Sequence, residues 1–257
     1  MKSNLKRAIV IVLLALLVYA ASIIFITSFN TMGLFTFGEL IFFLSALFMD
    51  PFSNALIGGV GFSLASFWLG YTHYLPASLI IKGLAGFAIG KIRGYKKLMN
   101  KLLSVSSSLL LFFLFWFVGV TIYSGDIYLG YISIPFLGEE VLKFGGLWAV
   151  GLHLPWWLWT AISLILACYV LLTGLKRTSN HALPALPLLA GCSIIVLGYF
   201  IYESFVLPAM FSVKVDSTAN IKINMGQSIL GATMALIIGM GFQGLKRRII
   251  KRINYLT

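Results

Sequence analysis

Residues 8–29 read AIVIVLLALLVYAASIIFITSF, a stretch of 22 residues without a charged side chain. A helix rises about 1.5 Å per residue, so about 20 apolar residues cross the ~30 Å hydrocarbon core of a bilayer. The run is longer than the roughly 7–15 apolar residues of a secretory signal peptide, and more apolar runs follow it. It therefore predicts a first transmembrane helix that the protein retains.

The whole chain shares this character. Of its 257 residues, 60% are hydrophobic and 10% are charged, and the mean hydropathy is +0.99. An average soluble domain is about 45–50% apolar and about 25% charged, so this composition excludes both a soluble and a disordered protein. The apolar runs are continuous rather than alternating, which argues against a β-barrel. The sequence predicts an all-α, polytopic membrane helix bundle.

Eight apolar runs predict eight spans, joined by short loops. Their approximate bounds are residues 8–29, 35–49, 52–70, 75–92, 104–124, 147–173, 183–206 and 225–245. The second and third runs are divided at Asp50-Pro51, because proline disfavours helix at the residue before it. The longest predicted loop, residues 125–146, is acidic and aromatic. It either covers part of the outer mouth of the bundle or serves only as a spacer between two helices.

The basic residues indicate the orientation. With the N-terminus inside, fifteen of the nineteen Lys and Arg residues fall in inner segments, three fall in outer segments, and Lys82 lies within a span. Basic residues collect on the cytoplasmic side of membrane proteins. Both termini are therefore predicted to be cytoplasmic. The same rule accounts for the net charge of +12 without a nucleic-acid partner.

Lys82 is the most informative candidate functional residue, because a charge within the membrane is costly and is usually functional. It contacts a ligand, pairs with a carboxylate near one, or else extends to the outer headgroups. Glu39 and Glu203 are the carboxylates at matching depth, at the outer ends of their spans. Glu203 also fits a solvated helix end.

Further polar and aromatic candidates lie at the same depth. Tyr199, Tyr202 and Glu203 have the i, i+3, i+4 spacing of one helix face. Asn224 and Gln227 stand at the start of the last span, where Asn224 also fits a helix cap. His73 lies in the tight outer turn of residues 70–74, where it also fits an interfacial aromatic belt.

The sequence argues against several catalytic chemistries. Gly86 to Lys91 superficially resembles a phosphate loop, but its spacing is one residue short and Ile92 stands where Ser or Thr is required. Glu139-Glu140 lies in a loop, and the other features of intramembrane proteases are absent from the sequence. No Cys or His spacing suggests a metal site. We therefore expect a protein that is not an enzyme, with no catalytic residues, metal or cofactor.

Two stretches together resemble the substrate-binding S component of energy-coupling-factor (ECF) vitamin transporters. The first, about residues 36–92, contains TFGE at 36–39, DPF at 50–52, GGVG at 58–61 and PASLIIKGLAGF at 76–87. The second, about residues 191–248, contains LGYFIYE at 197–203 and NMGQ at 224–227. The resemblance is to the branch with riboflavin-, pyridoxine- and hydroxymethylpyrimidine-type members.

The resemblance implies an architecture within a single membrane domain of residues 1–257. Six core helices would lie in residues 1–99 (helices 1–4) and 183–257 (helices 5–6 and a basic tail). Residues 100–182 would be an inserted helix pair with an outer loop. Because the polar intramembrane residues concentrate at one depth, we expect the substrate site in the outer half of the bundle. Eight residues are predicted to bind substrate: Glu39, His73, Lys82, Tyr199, Tyr202, Glu203, Asn224 and Gln227.

The resemblance also implies a function and partners. An S component binds a vitamin or vitamin precursor on the outer side of a prokaryotic cell membrane. It then associates with a transmembrane coupling (T) subunit and two ABC-type ATPases, which bind the ATP. The alternative from another class is a membrane enzyme or assembly protein that shares only the helix packing.

Overall fold

In the computed structural model, residues 2–28, 33–95, 101–130, 150–174 and 185–254 are described. The helices in this part of the chain are α1 (Lys2–Ser22), α2 (Phe37–Ala46), α3 (Pro51–Trp68), α4 (Leu75–Gly94), α5 (Lys101–Ile122), α6 (Trp156–Gly174), α7 (Ala185–Ile201), α8 (Leu207–Phe211) and α9 (Ser217–Asn254). A π-helical segment, Tyr202–Val206, joins α7 to α8, so these form one continuous rod. The eight resulting helical segments match the eight predicted runs and confirm the all-α bundle.

Among the described residues, five segments are long and apolar enough to cross a membrane. They are Leu5–Ser22, Thr72–Gly94, Leu102–Ile122, Ala185–Phe211 and Ser217–Gly241. Two shorter apolar helices, Phe37–Ala46 and Trp156–Leu172, accompany them. The chain is therefore a membrane protein with several spans.

A four-stranded antiparallel sheet was not predicted from the sequence. Its strands are β1 (Phe25–Ser28), β2 (Gly33–Thr36), β3 (Gly125–Gly130) and β4 (Val150–Leu154), in the order β2-β1-β3-β4. The predicted ends of three spans were consequently wrong: α1 stops at Ser22 rather than residue 29, while α2 and α6 begin only after β2 and β4. The aromatic and β-branched residues of β1 suit a strand as well as an apolar helix.

Successive spans cross the membrane in opposite directions, so the end of one span and the start of the next lie on the same side. The sheet joins four such helix ends on one side of the bundle. Strand β1 follows α1 and pairs with β2, which precedes α2. Strand β1 also pairs with β3, which follows α5, and β3 pairs with β4, which precedes α6. We call this side the outer end, in keeping with the distribution of basic residues.

Helices α3 and α4 pack closely through glycine. A Cβ on Gly86 would lie 2.6 Å from the backbone oxygen of Asn54, and one on Gly90 would lie 2.7 Å from Cα of Pro51. Gly86 and Gly90 therefore form the small-residue packing face that their spacing predicts. At the outer end, Gly70 joins the two helices with φ of 81°, a left-handed conformation that glycine adopts without steric cost.

A polar cluster fastens α1 to the start of α3 at the inner end. Asp50 caps α3 by accepting a hydrogen bond from the backbone N–H of Ser53 at 3.2 Å, and a second from the Ser53 hydroxyl at 2.6 Å. Arg7 Nη2 lies 2.8 Å from Asp50 Oδ1. Burial raises the pKa of this carboxyl, but the bonds from Ser53 and the charge of Arg7 outweigh it and lower the pKa below 3.8.

Asp50→Asn tests this cluster through the pH dependence of stability. Because the folded-state pKa is lowered, the carboxylate stabilises the fold above the unfolded pKa and loses that effect as pH falls through the folded pKa. Both side chains are about half exposed, so we expect a loss of less than about 1 kcal/mol at pH 7. Thermal unfolding in detergent should show the two proteins converging below about pH 3.8. A difference that persists at low pH would contradict the charge argument.

Candidate ligand site

A buried ion pair joins α2 to α4. Lys82 Nζ donates a hydrogen bond to Glu39 Oε1, and the two side chains are 4% and 1% exposed. The ammonium also lies 4.3 Å from the centre of the Phe62 ring and 5.7 Å from that of Tyr199. A lysine this enclosed does not extend to the headgroups, so that interpretation of Lys82 is wrong.

Hydroxyl groups extend from this pair across three helices. Ser78, one turn before Lys82 on α4, is 2.9 Å from the Ser66 hydroxyl and 3.1 Å from the Tyr199 hydroxyl. Tyr74, the residue immediately before α4, donates a hydrogen bond to Glu203 Oε1 over 3.2 Å. Helices α3, α4 and α7 thus present a continuous set of hydrogen-bonding groups in the outer half of the bundle.

These groups line a cavity with two lobes. We call the lobe that contains Glu203 the upper lobe and the lobe that contains Glu39 and Lys82 the lower lobe. The upper lobe, about 170 Å³, is lined by Ser66, Tyr71, Tyr74, Ser78, Tyr199, Glu203, Asn220, Ile223, Asn224 and Gln227. The lower lobe, about 140 Å³, is lined by Ser22, Thr36, Glu39, Phe62, Ala65, Ser66, Leu69, Tyr71, Ser78, Lys82, Tyr199, Asn224 and Gln227. The lobes share six residues and adjoin, with a joint volume near the lower end of the ~300–1,000 Å³ usual for small-molecule sites.

Six of the eight predicted site residues line this cavity: Glu39, Lys82, Tyr199, Glu203, Asn224 and Gln227. The other two, His73 and Tyr202, do not line either lobe. Tyr202 donates to the backbone oxygen of His73, and the ring of His73 lies beside Tyr74 and Phe211. These two residues connect α7 to the outer turn beside the cavity. Ligand binding by all eight residues stays a prediction.

Two other interpretations of the site residues are wrong. Glu203 is not a solvated helix end, because it is 4% exposed and lies in the π-helical segment of a rod that continues to Phe211. Asn224 does not cap its helix, because α9 begins at Ser217. Asp216 occupies the capping position and accepts hydrogen bonds from the backbone N–H groups of Thr218 and Ala219.

Sequence reasoning missed several lining residues. Asn220, Asn224 and Gln227 are spaced i, i+4, i+7, a helix-face pattern that becomes visible once α9 starts at Ser217. Ser78 and Lys82 share a face of α4 in the same way. Tyr71 and Tyr74 gave no signal beyond an interfacial aromatic turn. Burial raises the pKa of Tyr71 to about 12, so its phenol remains protonated at neutral pH.

The predicted outer loop takes part in the sheet. Residues 125–130 form β3, whose Tyr128 pairs with Thr27 of β1. On its other side, β1 pairs with β2, and the last residue of β2, Thr36, lines the lower lobe. Residues 131–146 of this loop lie outside the described part of the chain. Whether the loop covers the mouth stays a prediction, and the pairing with β1 places its beginning beside the cavity.

Deleting residues 127–143 tests that prediction. We expect weaker ligand affinity with faster dissociation, because the deletion removes the residues of β3 that pair with β1. Stopped-flow measurement of dissociation would check the rate. Unchanged affinity and rate would favour a loop that only joins two helices.

The fold and the cavity define a class: a polytopic membrane protein with a ligand-sized cavity, lined by hydrogen-bonding groups of several helices, in one half of the bundle. A family model of the S component of ECF-type riboflavin transporters matches residues 2–145. The chain belongs to this S-component family. Neither a curated protein nor a solved structure matches it.

The family match confirms the resemblance seen in residues 36–92. It ends before α6, α7 and α9, so the second stretch of resemblance, residues 191–248, lies outside it. The matched region also extends past residue 99 and includes α5. The division into a core at 1–99, an insertion at 100–182 and a core at 183–257 stays a prediction. The family is one of transporter subunits rather than of enzymes, and its members act in membrane transport.

Proposed function

We propose that this chain binds a vitamin or vitamin precursor with high affinity in the two-lobed cavity and carries it across the membrane as an ECF S component. The observation that supports this most strongly is the buried Lys82–Glu39 pair at the cavity wall. Ionisable side chains are costly within the bilayer, so an intramembrane Lys and Glu at a cavity wall point first to a functional site. Its place in the wall of a cavity lined by hydrogen-bonding groups, in a member of this family, favours vitamin uptake.

The energy for transport would come from other subunits. The sequence contains no phosphate loop, so we propose a transmembrane coupling subunit and two ABC-type ATPases as partners, in a prokaryotic cell membrane. The chain itself is expected to hold no cofactor and no metal. Lys82 and Glu39 would orient the ligand in the lower lobe, while Tyr199, Glu203, Asn224 and Gln227 would bind its polar groups.

An uptake assay tests the proposal. Cells that express the chain with a coupling subunit and ATPases would be supplied with radiolabelled riboflavin, pyridoxine or hydroxymethylpyrimidine, and separately with the cationic pyridoxamine. We expect uptake of at least one vitamin that disappears when the nucleotide site of the ATPases is inactivated. Uptake of none of the three and none of the cationic pyridoxamine, with the complex assembled, would contradict the proposal and favour a membrane enzyme or assembly protein.

A further inference from the structure

The upper lobe holds an acidic side chain with no cation beside it among the described residues. Glu203 is 4% exposed, and its Oε1 accepts a hydrogen bond from Tyr74. The Asn220 amide is the other donor beside this carboxyl group, and Glu203 Oε2 is buried without a well-formed hydrogen bond to any described residue. Within the described ranges, no Lys, Arg or His forms an ion pair with Glu203. A buried carboxylate in this state gains much from a donor or cation.

The lower lobe differs, because its carboxylate already has a cation. Lys82 neutralises Glu39, so among the described lining residues the ionisable acid and base groups are one lysine and two acidic side chains, of which only Glu203 has no basic partner. Glu39 Oε2 and Thr36 Oγ1 are also buried, with no hydrogen-bond partner in the part of the chain that the structure describes. The lower lobe is therefore suited to neutral hydrogen-bonding groups and the upper lobe to a positive charge.

Aromatic rings reinforce this asymmetry. Tyr71, Tyr74 and Tyr199 line the upper lobe together with Glu203, and the ring centres of Tyr74 and Tyr199 are 6.4 Å apart. Tyrosine faces attract cations within about 6 Å, most strongly where water is excluded. The amides of Asn220, Asn224 and Gln227 complete this lobe without adding charge.

We propose that the ligand is a small nitrogen heterocycle with a cationic nitrogen, and that this nitrogen binds Glu203 in the upper lobe. The proposal rests on the proposed function, because it describes the vitamin that the same cavity takes. The heterocycle and its hydroxyl groups occupy the space towards Glu39 and Thr36. The small joint volume of the lobes favours a compact ligand over an extended one.

A matched pair of probes tests the charge preference. Pyridoxamine carries an ammonium where pyridoxine carries a neutral hydroxyl, and the two molecules are otherwise alike. We expect pyridoxamine to bind the purified wild-type chain at least tenfold more tightly, as measured by titration of tryptophan fluorescence. Equal affinities, tighter binding of pyridoxine, or no binding of pyridoxamine at millimolar concentration would overturn the proposal without requiring any variant.

Variants then assign the preference to Glu203. Glu203→Gln should bring the two probes within twofold of each other, whereas Glu203→Asp should keep part of the preference. Asp216→Asn makes the same charge change on an exposed residue at the outer start of α9 and should leave the preference intact. A preference that survives in folded Glu203→Gln would overturn the assignment. Failure of the proposed function is a separate result, because it appears as the absence of ATPase-dependent uptake.

Discussion

Replacing Lys82 by methionine is expected to weaken vitamin binding at least tenfold. Methionine keeps most of the volume of the side chain but leaves Glu39, 1% exposed, without its cation. Leaving a buried hydrogen-bonding group unsatisfied costs about 1–3 kcal/mol, and more when it is charged. Each tenfold change in affinity corresponds to about 1.4 kcal/mol. Titration of the purified wild-type chain and of the variant with the vitamin that the wild type binds would measure the change in the dissociation constant.

The same substitution should lower stability, because removing one partner of a buried ion pair destabilises by about 3–5 kcal/mol. The double variant Glu39→Gln/Lys82→Met removes both charges and serves as the control. We expect it to unfold at a higher temperature than the single variant and still to bind weakly. A single variant that binds within twofold of wild type would remove Lys82 from the site and leave the pair a structural feature.

Gly86→Ala is expected to cause the largest loss of stability among small substitutions at the α3–α4 contact. The new Cβ would lie 2.6 Å from the backbone oxygen and 2.8 Å from the backbone carbon of Asn54. Because backbone atoms cannot rotate away, the two helices must separate, and overpacking of this kind costs about 1–3 kcal/mol. Thermal unfolding in detergent, followed by tryptophan fluorescence, would show a lower Tm.

Gly83→Ala is the matched control on the same helix. Its Cβ would lie 3.5 Å from the backbone oxygen of Ala55, which is an ordinary contact. Alanine favours helix over glycine by about 1 kcal/mol, so this variant should be as stable as wild type or more stable. Equal Tm values for the two variants would show that the glycine face does not set the distance between α3 and α4.

The sequence predicted the helices well because membrane insertion depends on continuous apolar length, which is a local property. It also predicted that Glu39, Lys82 and Glu203 lie at one depth, since the bilayer penalises each charge wherever it occurs. The pairing of Lys82 with Glu39 rather than Glu203 depends on how α2, α4 and α7 pack. The sequence therefore left open which carboxylate takes the lysine and which remains without a cation.

The sheet and the start of α9 were not predicted from the sequence, for different reasons. Strand β1 is only four residues long and pairs with β3 across about 100 residues of chain, so its apolar sequence looked like more of the first span. The first turns of α9 contain Asn220 and the exposed Lys222, which lowered the local hydropathy and moved the predicted start to residue 225. Asp216 supplies the cap that begins the helix earlier.

We expect the outer cavity to hold a vitamin. Mass spectrometry of the chain purified gently from a membrane would test this most directly, first as the intact complex and then after release of its small molecules. We predict one bound vitamin or vitamin precursor per chain, lost from Lys82→Met and retained by Gly83→Ala. A wild-type chain that carries only lipid, and that still takes up no riboflavin, pyridoxine or hydroxymethylpyrimidine when these are added, would contradict this expectation.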